Sequence, residues 1–311
     1  MTPISEQDLR NLYQRISNWG RWGADDERGT LNLIDDAARL RGLQSAKDGL
    51  AICCGLTIPQ QAAIDRNRYP VQRFIFRAGD QVPANGFGSI WEFLGMVPHG
   101  PAHTHIDALC HAFHDGRMYN GRTPTEVLST GARRNAITAM NGSISARGIL
   151  LDIPALLGVD YLEPERPIKR AELEAAERAA GVTVASGDVL LVRTGRHVRY
   201  RVKGPGSEQL NGKTHVAGFY ADCLTFMRER DVAVLGSDGV NEHLALSYGA
   251  DERPIHQGCL VYMGLPLIHN CDLDLLAEAC AHKKRASFLF TMGLITFEGA
   301  TSAPVAPVAI L

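Results

Sequence analysis

Five of the eleven histidines in this chain fall within residues 99–114, where an even spread over 311 residues would place about half of one. The segment reads His99-Gly100-Pro101-Ala102-His103-Thr104-His105-Ile106-Asp107-Ala108-Leu109-Cys110-His111-Ala112-Phe113-His114. Asp107 is its only acid, and Gly100 with Pro101 excludes a regular helix through its first half. Lone histidines are usually solvated or satisfied in a core, but five beside one carboxylate have the composition of a metal site. Neutral imidazole and carboxylate are the ligands that zinc, manganese and iron take when thiolates are lacking. His103, His105 and Asp107 share one parity and would project from one face of an extended segment. Fully extended, His103 and Asp107 would stand roughly 13 Å apart at about 3.3 Å per residue, so the chain must curl if they are to share an ion.

The cysteines do not compete for that role. There are seven, an odd number with no C-x-x-C, which argues against a disulfide framework and against a thiolate zinc site. They read as small buried apolar residues. Cys110 next to His111 suggests a Cys–His nucleophile, but adjacent side chains seldom face one another, and the inert reading is preferred. With 32 basic and 34 acidic residues the net charge is −2, so composition gives no reason to expect nucleic acid or a membrane surface as partner. A small-molecule substrate is expected instead. The start, MTPISEQDLR, lacks the basic and apolar regions of a signal peptide, and no apolar run reaches about 18 residues, so a cytoplasmic address is expected.

Along the chain, helical periodicity is read over 5–16 and 35–46, with Ser5 and Asp35 as N-caps. Further helices are expected over 169–180, 221–230 and 273–282. Apolar runs at 148–153, 188–193, 232–235, 259–265 and 287–295 read as buried strands, so the pattern is that of an α/β or α+β layer structure. Gly204-Pro205-Gly206-Ser207 marks an exposed loop. The acids Asp25, Asp26 and Glu27 are read as a structural or solvated loop, with Trp19 and Trp22 as packing anchors. Residues 206–214 miss the P-loop pattern by one residue, no G-x-S-x-G elbow occurs, and Gly86-Phe87-Gly88 fails the dinucleotide fingerprint. Nucleotide-binding, serine-hydrolase and dehydrogenase readings therefore lose their usual support.

Thr104-His105-Ile106-Asp107-Ala108-Leu109-Cys110-His111, followed by Asp115-Gly116-Arg117-Met118-Tyr119-Asn120-Gly121, resembles the signature of the cyclase family of metal-dependent hydrolases, which includes bacterial kynurenine formamidase and isatin hydrolase. Trp22-Gly23-Ala24-Asp25-Asp26-Glu27, Gly236-Ser237-Asp238-Gly239-Val240-Asn241 and Gly299-Ala300-Thr301-Ser302-Ala303-Pro304 are similar to other stretches of its longer members. The resemblance implies an α/β swivelling β/β/α domain, a mixed sheet with flanking helices, over 49–311, preceded by an N-terminal helical extension over 1–48. It implies that His105 and Asp107 are metal ligands and that His111 is the general base. The family's further histidine, four positions before His105, is Pro101 here, so the first ligand is His99 or His103; parity and closeness to His105 lean to His103. His256 and His269 match a second ligand pair whose latter member is more often an acid, which favours one ion over two. His114, His197, His215, His243 and His282 stand alone and read as surface or satisfied core residues, with His215 or His243 the candidates to line the substrate pocket.

The inventory is a divalent ion, zinc or manganese, with an imidazole base and no covalent nucleophile. That suits attack of activated water on an acyl carbon, and the resemblance narrows the substrate to a cyclic or aryl amide, lactam or lactone. A ring-closing or dehydrating lyase using the same groups is the alternative; a non-catalytic metal-binding or ligand-binding protein is the second. The resemblance also implies a homodimer or homotetramer.

Overall fold

Ser5 starts the first helix by accepting a hydrogen bond from the Asp8 amide at 3.1 Å, as an N-cap should. The computed structural model describes residues 4–58, 69–80, 82–140, 143–210, 213–243 and 253–311. Helix α1 (Glu6–Ile16) buries Leu9, Leu12, Tyr13 and Ile16 along one stripe, at about 1.5–3 kcal/mol for each large apolar side chain. Asp35 likewise caps α2 (Asp36–Leu43), which stops short of the expected 46. Then follow β1 (Ala51–Cys53), the hairpin β2 (Gln72–Arg77) and β3 (Trp91–Gly95), β4 (His105–Asp107), and the short pair β5 (Val127–Leu128) and β6 (Gly131–Ala132). Next come β7 (Ser143–Asp152), α3 (Ile153–Leu157), α4 (Arg170–Ala179), β8 (Val189–Arg193) and α5 (Arg196–Lys203). The chain continues through β9 (Gln209–Leu210), β10 (Lys213–Thr214), α6 (Cys223–Glu229), β11 (Val234–Ser237) and α7 (Pro254–His256). It ends with β12 (Leu267–His269), α8 (Asp274–Lys283), β13 (Ser287–Gly293), β14 (Ser302–Pro304) and β15 (Val308–Ile310).

Nine of these strands form one mixed sheet in the order β1-β15-β13-β7-β8-β11-β12-β4-β14. Its centre, β7-β8-β11-β12, is parallel, and both flanks are antiparallel. Strand β8 shows why the centre is parallel. Val189 and Leu191 enter the core on one face, Leu190 and Val192 the core on the other, and a strand covered on both faces reads as a continuous apolar run. On one face lie α1, α4 and α6; on the other, α8 and Leu31 and Ile34 from the loop that leads into α2. The α/β reading with a mixed sheet and flanking helices holds, and the first helix contributes to the common core.

One strand expectation is corrected. Residues 259–263 of the expected strand over 259–265 lie in a π-helical stretch, Gln257–Met263, that continues α7. A short, wholly buried apolar run carries no period that separates strand from helix. Gly264, with φ +65°, ends the stretch in the left-handed region, and a Cβ there would come within 2.5 Å of the Tyr119 ring.

The loop of acids is structural in its contacts. Asp26 accepts from the Gly29 amide and the Tyr119 hydroxyl, both at 2.9 Å. Glu27 accepts from Arg134 and from the Asn135 amide. Trp19 stacks on Tyr262 at 5.6 Å and donates to the Val261 carbonyl. Six of the seven cysteines are buried, Cys53 being exposed, and all are free thiols.

Candidate metal centre

Strand β4 is only three residues long, yet all three are buried, and two of them are titratable. Its register with β12 sets His105 opposite His269 and Asp107 opposite Leu267, so the two imidazoles stack with ring centroids 4.8 Å apart. Asp107, two residues along, projects from the same face as His105. Before the strand the chain turns through Gly100, at φ +105°, and brings His99 Nδ1 to 3.0 Å from Asp107 Oδ1. After it, a turn closed by the His111 amide on the Ala108 carbonyl sets His111 Nε2 3.7 Å from Asp107 Oδ2, with the His111 ring stacked on His99 at 4.0 Å.

Hydrogen-bond partners that can only accept fix the imidazole tautomers. His105 Nδ1 faces the His103 carbonyl at 2.8 Å, so Nδ1 carries the proton and Nε2 turns a lone pair toward Asp107 Oδ1 at 3.6 Å. His256 Nδ1 faces Glu242 Oε2 at 3.0 Å, which leaves its Nε2 unprotonated in the neutral ring. His269 is the reverse case. Asn241 Nδ2 donates to the Ile268 carbonyl at 2.9 Å and to His269 Nδ1 at 3.1 Å, so the His269 proton sits on Nε2 and is donated to Asp107 Oδ2 at 2.8 Å. Asp107 Oδ1 is buried and makes no aligned hydrogen bond; His99 Nδ1 stands 3.0 Å from it and the lone pair of His105 Nε2 3.6 Å. A negative oxygen opposed to a lone pair in a buried site is costly until a cation stands between them, and that arrangement fits a divalent ion.

The electrostatics agree. Burial pushes the Asp107 carboxyl up, but His111 and His269 beside it outweigh burial and hold it well below the usual range. Burial lowers His105 to about 3 and His111 to about 4, and it lowers His269 as well. These three imidazoles are neutral near pH 7, the state in which imidazole binds metal or takes a proton. Burial also raises the Cys110 thiol to about 12, so it is not a thiolate at neutral pH.

Two sets of side chains therefore share Asp107: His99, Asp107 and His111, and His105, Asp107 and His269, with the ligand atoms of each set within 4.8 Å of one another. Of the residues singled out from sequence, His99, His105, Asp107, His111 and His269 come together. His103 belongs to neither set; its backbone carbonyl orients His105. His256 belongs to neither set but stacks on His269 at 5.2 Å. His111, expected as a base, stands within one of the two sets. Sequence reasoning missed Glu242, which fixes the His256 tautomer, and gave no role to Asn241, which closes a family-like stretch and fixes the His269 tautomer. It also missed Asn270, which donates to the Gly100 and His103 carbonyls and is itself held by buried Arg196.

A family model described as "Putative cyclase" matches residues 55–242. Among solved structures, the chain is similar to the crystal structure of a novel cyclase at 24% identity and TM-score 0.84, covering 95% of this chain and 99% of that one. It is also similar in fold to an isatin hydrolase bound to the product analogue thioisatinate, at 14% identity and TM-score 0.58, covering 89% of this chain and 99% of that one. A third likeness is to isatin hydrolase A from Ralstonia solanacearum, at 15% identity and TM-score 0.53, covering 84% and 91%. No curated protein matches the chain. No helix among the described residues is long and apolar enough to cross a membrane.

Proposed function

Because the chain belongs to the cyclase family, we propose that it is a metal-dependent hydrolase that opens a small amide, lactam or lactone bond. The observation that carries this reading is Asp107, buried among four imidazoles, with its Oδ1 3.0 Å from His99 Nδ1 and 3.6 Å from the lone pair of His105 Nε2. His105 Nε2 and Asp107 Oδ1, with His99 beside them, would hold a divalent ion, zinc or manganese by donor type. When bound, such an ion supplies Lewis acidity toward water and toward an acyl carbonyl. The chain's own groups do the rest. His269 donates to Asp107 and orients its carboxylate, as outer partners of ligands commonly do. His111, neutral and partly open to solvent, accepts a proton from the attacking water and returns it to the departing nitrogen or oxygen. Glu242 holds the His256 ring through Nδ1, leaving Nε2 available to position water or the leaving group.

Hydrolysis and ring closure part company over oxygen. Turnover in water enriched in heavy oxygen should place one solvent oxygen in the product carboxylate, whereas a lyase acting through the same residues would place none there. The chain is further proposed to work as a homo-oligomer, a dimer or a tetramer, paired through β2–β3. On one face of that hairpin Phe74 stacks on Phe93 at 4.9 Å and Phe76 meets Trp91 edge-on at 6.2 Å. All four rings are exposed, and a two-stranded hairpin seldom stands alone in water without cover.

A further inference from the structure

The opposite face of the hairpin meets a cavity that extends from the metal centre. Arg73, Glu92 and Leu94 line it, and its volume is about 1170 Å³, beyond the roughly 300–1,000 Å³ usual for a small-molecule site. The cavity reaches the centre through His99 and Thr301, which line it and are joined by a hydrogen bond between His99 Nε2 and Thr301 Oγ1 at 3.0 Å. His99 is also the residue whose Nδ1 stands against Asp107. Away from that end the walls are apolar: Leu94, Met96, Leu128, Ile295, Phe297 and Val305. Arg73 and Glu92 pair with each other at 3.9 Å, so among the described residues the walls present no uncompensated charge to a ligand.

The geometry points to a substrate class, and it rests on the hydrolase reading above. We propose that the substrate carries an extended, uncharged hydrocarbon portion, an alkyl chain or several fused rings. That portion runs from the scissile carbonyl at Asp107 past His99 and Thr301 into the space between the hairpin and β14. A polar or charged tail would lose its hydration there without gaining a partner. A lone bicyclic ring would leave most of the volume to water.

The test uses the metal-restored protein and two homologous series. Hydrolysis of p-nitrophenyl alkanoates from acetate to decanoate should show kcat/KM rising about fourfold per added methylene, the value of burying one methylene group, and then levelling where the cavity ends. Calorimetric binding of free alkanoates over the same lengths should tighten in parallel and needs no turnover. In Leu94→Asp and Phe297→Asp, both exposed at the cavity wall and so safe for folding, the long-to-short ratio should collapse in both assays. Hydrolysis that does not depend on chain length would overturn this inference and leave the hydrolase reading standing. Binding that tightens with length while no ester turns over would support the apolar ligand and overturn the hydrolase reading. A length dependence unchanged in both variants would remove the cavity from the argument.

Discussion

Strand β4 and hairpin β2–β3 break the ordinary burial rule in opposite directions. In β4, three buried residues include a histidine and an aspartate. In the hairpin, eleven residues include four aromatics, and none is buried. Isolated exposed apolar side chains are commonplace, but a buried polar cluster and a contiguous exposed apolar face each need a partner. For β4 the partner we propose is a cation, because Asp107 Oδ1 faces the unprotonated Nε2 of His105. For the hairpin the partner we propose is apolar matter: a second copy on the aromatic face and a hydrocarbon ligand on the cavity face. Two departures from one rule thus describe two kinds of binding.

The comparison breaks first at β4. Asp107→Ala should abolish activity and lower metal affinity well beyond the roughly 10- to 100-fold typical of outer-partner changes; titration of metal into the variant checks it, and near-native affinity would mean that the buried carboxylate is not a ligand. His111→Ala should lower turnover by a factor on the order of 100 or more with metal retained; if the metal is lost as well, His111 is a ligand in the set with His99. Glu242→Gln should cost roughly 10-fold in turnover by freeing the His256 tautomer, read as a fall in kcat with little change in KM. At the hairpin, Phe74→Asp with Trp91→Asp should shift the protein toward monomers in light scattering, while stability of the remaining fold moves by about 0.5 kcal/mol or less per exposed site. An unchanged mass would leave the aromatic face without its proposed partner.

The smallest effect lies outside both regions and serves as a control. Arg21 pairs bidentately with Asp231 at 2.7 Å and by that hydrogen bond lowers the Asp231 carboxyl. A folded-state pKa below the unfolded value stabilises above the unfolded pKa, near 4, and the contribution is lost as pH falls through that range. Asp231→Asn should therefore cost about 0.5–1 kcal/mol at neutral pH and progressively less below pH ~4, in denaturant melts at both pH values.

Much of the architecture could be read from the chain because long elements carry period and caps. Ser5 and Asp35 cap the helices they were expected to cap, and the apolar runs of β7, β8, β11 and β13 are strands. Strands β4 and β12 have three residues each, too few for any period, and they carry His105, Asp107 and His269 of the candidate metal centre. The density of histidines located that centre without them. What the sequence could not resolve was which imidazole turns inward: parity favoured His103, but the turn at Gly100 brings His99 to Asp107 instead. Glu242 was invisible, and Asn241 had no assigned role, because each fixes a proton on a ring contributed by a different element. The hairpin carried no signal because alternation serves only a strand with one covered face.

The central claim is that the buried Asp107 cluster holds a cation, and metal content measures it most directly. Protein purified without added metal and analysed by elemental mass spectrometry should contain about one divalent ion per chain, with one open position left for substrate or water. A strong chelator should remove it together with activity, and adding the ion back should restore both. The Asp107→Ala protein, folded by the same criteria, should contain none. Metal-free wild-type protein whose activity is indifferent to the chelator would contradict the account.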